Sequence, residues 1–350
     1  MIERKKILID INKLVRPNVL NMKPYASARD EFKGEADIFL DANENPYPSR
    51  YNRYPDPLQW NVKQKLATIK GVPPEQIFLG NGSDEAIDLV IRAFCEPRQD
   101  SILITAPTYG MYAVCAAVND IAVQQAPLTN DFDLDLEAFT KTCDASTKVF
   151  FLCSPNNPSG NLLSRAKIIE VLKYFKGLVV IDEAYIDFAK SKSFLDDLTT
   201  YPNLVVLQTF SKAWGLAGVR LGMCFASVDI IQILNKIKYP YNVNSYTQEL
   251  AIDALKNEQQ KNGWVNEIVK QRHKMADALL KLSITVKVYP SDANFLLVAV
   301  KEAFETYQYL MKLGIIVRDR SNVTLCHNCL RITIGTPEEN EKLVNALKKM

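Results

Sequence analysis

Lys212 lies in FSKAWGLAGVRLG, residues 210–222, directly after Ser211 and ahead of a glycine-rich stretch that leads to Arg220. A lysine amine whose surroundings lower its pKa can attack a carbonyl carbon and form a Schiff base. A guanidinium nearby can bond two phosphate oxygens at once. Four other stretches offer groups of matching use. In GNGSDEAIDLVIRAF, Gly80 and Gly82 precede Ser83 and Asp84 at what reads as a helix start. Free backbone N–H groups there bind phosphate, although an ordinary Ser or Asp N-cap leaves the same signature. In APTYGMY, Tyr109 sits in a loop, either as a packing residue or as a ring that stacks on a planar ligand. In SPNNPSG, Asn157 is held before Pro158 and followed by Gly160, which suits a turn and also a fixed amide donor. In IDEAYIDF, Asp182 closes a strand-like run with Tyr185 three residues on, and a carboxylate buried there needs a cation or a protonated ring nitrogen.

Each of these groups stands at the end of a short apolar run or in the loop after it. SILITAP, TKVFFLCS, GLVVIDEAY and LVVLQTFS are β-branched and bounded by polar residues. Between them lie DEAIDLVIRAF and SRAKIIEVLKYF, with apolar positions three and four apart. The alternation predicts an α/β fold, a mostly parallel sheet flanked by helices. In such a sheet ligands bind outside the carboxyl ends of the strands, where these residues are. Together they specify a ligand with a phosphate, a planar ring bearing a basic nitrogen and an oxygen, and a carbonyl open to a lysine. Pyridoxal 5'-phosphate has all of these.

After about residue 240 the pattern changes to the helical SYTQELAIDALK and NEIVKQRHKMADALLKL, then ITVKVYP, NFLLVAV, a short helix, IIVRD, CLRITIG and the helix PEENEKLVNALKK. The expected organisation is an N-terminal arm (1–40), a large ligand-binding domain (41–243) and a smaller α+β C-terminal domain (244–350). Pro17 and Pro24 break any long helix in the arm, which could pack on either domain or on a partner.

Asn157-Pro158-Ser159-Gly160, Asp182-Glu183-Ala184-Tyr185, and Ser211-Lys212 with Arg220 occur in the order and at spacings like those of the fold-type I pyridoxal-phosphate-dependent aminotransferases, which the chain resembles from about residue 38 to its end. ANENPYP, NRYPDP, GNGSDE, APTYGMY and the pair IIVRD and CLRITIG are similar to the histidinol-phosphate aminotransferase family. The resemblance implies a fold-type I transferase in which Lys212 holds the cofactor covalently as a Schiff base and carries the proton removed from the substrate. It implies that Asp182 faces the pyridine nitrogen, that Asn157 and Tyr185 bond the ring oxygen, and that Tyr109 stacks on the ring. The phosphate then lies at the backbone of Ser83 and Asp84, the Ser211 hydroxyl and Arg220, with Tyr54 reaching it from the other subunit of a homodimer. Arg331 takes the carboxylate of glutamate or the phosphate ester of histidinol phosphate, Arg318 is a second cation, and Asn43 and Tyr25 lie on the substrate side.

The implied reaction exchanges an amino group between L-histidinol phosphate or imidazole acetol phosphate and glutamate or 2-oxoglutarate, in histidine biosynthesis. Its alternatives are an aromatic amino-acid aminotransferase, a threonine-phosphate decarboxylase-like enzyme and a non-enzymatic binding protein. The last would carry an appended DNA-binding module, for which neither end of the chain has room. Three positions depart from the family pattern: Ser159 for threonine, Trp214 for phenylalanine or tyrosine, and Tyr239 where proline is common.

Composition sets the remaining bounds. With 350 residues, 47% of them apolar, and a net charge of +2 from 42 basic and 40 acidic residues, nothing asks for nucleic acid or an anionic membrane. MIERKKILIDI has too short an apolar run for a signal peptide, and no stretch approaches the ~18 residues of a spanning helix, so a cytoplasmic protein is expected. Seven scattered cysteines argue against a disulfide framework, and Cys326-His327-Asn328-Cys329 reads as two reduced structural thiols because no second pair completes a zinc site. His273 and His327 are the sole histidines, too few for a Ser-His-Asp hydrolase or a catalytic zinc centre; no metal is expected.

Overall fold

The computed structural model describes residues 9–25 and 36–350. Seven strands build the large sheet: β1 (Ile77–Asn81), β2 (Ser101–Ala106), β3 (Ala122–Pro127), β4 (Thr147–Cys153), β5 (Leu178–Asp182), β6 (Leu204–Thr209) and β7 (Leu221–Ala226). Their order is β1-β7-β6-β5-β4-β2-β3, parallel from β6 through β3, with β7 antiparallel to both of its neighbours. The central strands read as unbroken apolar runs because both faces are covered. Phe150, Leu152, Val179 and Ile181 face helices Trp60–Lys70 and Arg165–Tyr174, while Val149, Phe151, Leu178 and Val180 face helices Gly82–Phe94 and Val228–Ile237.

The described part of the arm packs on the large domain. Ile11, Val15 and Val19 are buried with Ile87, Val90 and Phe94, and the Arg16 guanidinium bonds Glu96 at 3.1 Å. Helix Ser245–Lys256, expected at the start of the smaller domain, also joins the large one, burying Ala251 and Leu255 with Val62 and Leu66. This helix therefore belongs with the large sheet and not with the smaller one.

The smaller sheet is antiparallel, in the order β10-β11-β9-β8, from β8 (Thr285–Val288), β9 (Phe295–Val300), β10 (Arg318–Asp319) and β11 (Cys329–Thr333). Leu296, Val298, Leu330 and Ile332 turn to helices Glu258–Leu280, Ala303–Lys312 and Pro337–Leu347. The last of these starts with a capping box of Thr336 and Glu339. On the opposite face, Leu297, Ala299 and Cys329 are buried together with residues of the large sheet.

β7 runs back beside β1, so Gly80 stands opposite Gly222 and the Gly82 N–H bonds the Arg220 carbonyl at 2.9 Å. This passage is tight enough that a Cβ on Gly222 would run into the backbone of Gly82 and Ser83. Gly222→Ala is therefore expected to destabilise the protein by about 1–3 kcal/mol, the usual cost of overpacking, as read by thermal unfolding.

Candidate active site

The parallel strands end level with one another. Cys153 at the end of β4 pairs with Asp182 at the end of β5, and Asp182 with Leu207 near the end of β6. The loops after them consequently open at one place, and nine of the ten residues expected around the cofactor line a single cavity there, Tyr54 being the exception.

Side chains alternate along β5, so Asp182 points to the same side as Leu178 and Val180, into the layer that holds helix Met111–Val118. Tyr112, fully buried on that helix and stacked on Phe151 at 4.8 Å, donates its hydroxyl to Asp182 Oδ2 at 2.8 Å. The Ala184 N–H donates to Asp182 Oδ1 at 3.0 Å. Burial nevertheless pushes the Asp182 carboxyl up to about 6 against these two bonds, and no described cation forms an ion pair with it. Tyr112 was not singled out in the sequence. Its signal was a tyrosine inside the apolar helix MYAVCAAV, where a buried hydroxyl needs a partner.

Lys212 lies in the loop after β6. The loop is folded back on itself, with the Leu216 N–H on the Phe210 carbonyl at 3.0 Å, and pinned by Trp214, which is buried against Phe210. Lys212 Nζ is 5.6 Å from the centre of the Tyr185 ring. Desolvation at the cavity wall and the Arg331 charge lower its pKa, with Asp182 acting in the opposite sense. An amine so placed is nearer to its neutral, nucleophilic form than a surface lysine.

The opposite end of the cavity is cationic and rich in backbone donors. Helix Gly82–Phe94 begins there without a side-chain cap from Asn81, which leaves the N–H groups that follow Gly82, those of Ser83 and Asp84, at the cavity beside Arg220. Arg220 Nη2 lies 3.7 Å from Asp84, and Tyr109 donates its hydroxyl to Asp84 Oδ1 at 3.2 Å. Ser211 lines the same end.

Asn157 is buried, and its side-chain oxygen accepts from Arg331 Nη1 at 2.6 Å. This bond ties β11 of the small sheet to the rim of the lysine cavity. Ser159 accepts from the neighbouring Asn156 amide at 2.8 Å, the place of the family's threonine being filled by another hydroxyl. Arg318 stands directly opposite Arg331 in the β10–β11 ladder and is exposed. Tyr54 and Asn43 line a separate depression with Tyr51, Asn244 and Tyr246; Tyr54 is half exposed and stacked on Tyr241 at 4.5 Å. Tyr25 is exposed and lines neither hollow. Both histidines are exposed away from the cavity, and Cys326 and Cys329 are buried free thiols with pKa values raised by burial to about 12 and about 11.

A sequence model of the family "Aminotransferase class I and II" matches residues 39–347. The chain belongs to the class I and II aminotransferases. A histidinol-phosphate aminotransferase from Parabacteroides distasonis is 60% identical over 341 residues, 97% of this chain and 99% of that one. Among solved structures, the histidinol-phosphate aminotransferase from Clostridium acetobutylicum aligns with a TM-score of 0.78 at 27% identity, covering 85% of this chain and 90% of that one. L-threonine-O-3-phosphate decarboxylase from Porphyromonas gingivalis aligns with a TM-score of 0.74, also at 27% identity, over 85% and 90%.

This aminotransferase family is pyridoxal-phosphate-dependent. The donor set of the cavity fits that cofactor: a buried carboxylate without a cation at one wall, an amine of lowered pKa at another, and an arginine beside a helix N-terminus at the far end. In the cofactor-free protein, Asp182 binds its proton more tightly folded than unfolded. Its contribution to stability is therefore complete below about pH 4 and lost as pH rises through about 6. The gain in melting temperature of cofactor-free Asp182→Asn over wild type is expected to be larger at pH 7.5 than at pH 4.5. Because the Tyr112 bond opposes the upward shift, Tyr112→Phe is expected to move the same window to higher pH in thermal melts.

Proposed function

We propose that the protein is a histidinol-phosphate aminotransferase, exchanging the amino group between L-histidinol phosphate and 2-oxoglutarate. The observation that carries this reading is the Arg331–Asn157 bond, which sets an anion-binding guanidinium at the mouth of a cavity whose wall is a nucleophilic lysine. The likeness to the Parabacteroides enzyme along almost the whole chain supports the choice of substrate.

Pyridoxal phosphate, when bound, supplies an aldehyde carbon and an electron-accepting ring. Lys212 Nζ would hold the cofactor through its aldehyde carbon and, once the substrate amine has taken that place, would be the free amine that accepts the proton from the substrate Cα. Asp182 would hold a positive charge at the ring nitrogen, offsetting the burial of its own carboxylate. Asn157 and Tyr185, which line the same cavity, would hold the ring oxygen, and Tyr109 would cover the ring face. Ser83 and Asp84 through their N–H groups, the Ser211 hydroxyl and Arg220 hold the phosphate. Arg331 takes the glutamate carboxylate in one half-reaction and the phosphate ester in the other, with Arg318 beside it. Tyr54 lies outside the cavity of its own chain, which suits the role implied by the family resemblance, completing the phosphate site of a second copy in a homodimer.

Threonine-phosphate decarboxylation is the second reading, favoured by the structural likeness to the Porphyromonas enzyme. A visible spectrum of the holoenzyme separates the two. Bleaching of the cofactor band by histidinol phosphate and its return with 2-oxoglutarate is the expected result; release of CO2 from threonine phosphate without use of 2-oxoglutarate would replace it. Borohydride reduction is expected to fix the cofactor to the peptide containing Lys212, with both attachment and turnover lost in Lys212→Ala. Arg331→Ala is expected to raise KM for both acidic substrates, by about 10- to 100-fold for a lost charge-assisted pair.

A further inference from the structure

The face of the small sheet that looks toward the lysine cavity carries a third arginine. β10 and β11 pair so that Arg318 is opposite Arg331 and Asp319 opposite Leu330, and the Arg320 N–H continues the ladder to the Cys329 carbonyl at 2.8 Å. Alternation puts Arg318, Arg320, Cys329 and Arg331 on one face and Leu330 on the other. Leu330 is buried in the small domain's own core, whereas Cys329, and Leu297 across from Arg331, are buried against the large domain. The arginine face is thus the one turned toward the site.

Like charges directly opposite on paired strands repel, and no described carboxylate forms an ion pair with any of the three guanidiniums. Arg331 has the Asn157 oxygen, but Arg320 Nε is buried without a hydrogen-bond partner. Burial and the charges of Arg331 and Arg318 lower the Arg320 pKa, while Tyr185 of the cavity wall is near enough to act in the opposite sense. A carboxylate has two oxygens and one charge, which Arg331 can satisfy alone. A phosphate monoester has three terminal oxygens and a charge of about −1.5 to −2 near neutral pH.

We propose that Arg320 is a specificity-determining residue that joins Arg318 and Arg331 in a subsite for the phosphate ester of the amino donor and takes little part in holding glutamate. The proposal rests on the functional reading above. It adds a group that separates the two substrates sharing this pocket.

The test compares Arg320→Gln and Arg320→Lys holoenzymes with wild type in both half-reactions, and measures inhibition of the glutamate half-reaction by inorganic phosphate. In Arg320→Gln, kcat/KM for histidinol phosphate is expected to fall by about 10- to 100-fold and that for glutamate by no more than about threefold, with phosphate inhibition weakened by about tenfold. Arg320→Lys, which keeps the charge, is expected to recover part of each loss. Equal losses in the two half-reactions, or phosphate inhibition unchanged in Arg320→Gln, would overturn the proposal. A wild-type enzyme that ignored histidinol phosphate would sink the functional reading instead, and the phosphate inhibition would still decide the role of Arg320.

Discussion

Burying the Asp182 carboxylate at the end of β5 takes an ion out of water, and the Tyr112 hydroxyl and Ala184 amide offset only part of that cost. The imbalance lies where β4 and β5 end side by side and β6 ends close by. The same level ending that isolates Asp182 from solvent delivers Asn157, Tyr185 and Lys212 around it. A frameshift of one residue in β5 would turn the carboxylate to the opposite face of the sheet and leave the lysine facing a hydrocarbon wall. Strand register is therefore as much a part of this active site as any side chain in it.

The antiparallel strand β7 solves a different problem. Lys212 follows β6, while the free N–H groups belong to the helix after β1, the edge strand two places away. Inserting β7 between β1 and β6 lets the short segment 210–220 span both, carrying Ser211 and Lys212 at one end and Arg220 at the other. The narrow passage at Gly222 is the steric condition for that arrangement. The Lys212 amine and the Arg220 guanidinium are thereby held at opposite ends of one loop on one cavity.

Much of this was legible in the sequence because parallel strands buried on both faces leave uninterrupted apolar runs, and because functional groups stand just beyond them. SILITA, KVFFLC, LVVID and LVVLQT are strands, and Asn157, Asp182, Lys212 and Arg220 gather where such strands end. What was hidden depends on pairing that local pattern does not encode. β3 is the edge strand, with Ala126 its one buried residue and two glutamines at its centre, so AVQQAP shows no strong period. The direction of β7 is fixed by its neighbours alone. Tyr112 looked like one more residue of an apolar helix until the sheet brought Asp182 against it. Helix Ser245–Lys256 has the periodicity of a surface helix wherever it packs, and long-range contacts with Val62, Leu66 and the Val219 carbonyl place it on the large domain. Arg320 has no period of its own in the sequence, and the β10–β11 register decides which way it faces.

The seam between the two sheets has a mechanical consequence. Leu297, Ala299 and Cys329 share a buried apolar cluster with strands of the large sheet, and the Asp292 N–H bonds the Gly160 carbonyl at 2.7 Å, just beyond Asn157. Swinging the small sheet outward would strip that cluster of cover at about 25 cal/mol per Å² and break the strap at Gly160. Sliding along the seam would break the same strap and the Arg331–Asn157 bond, so the seam fixes Arg331 at the mouth of the cavity from two directions at once.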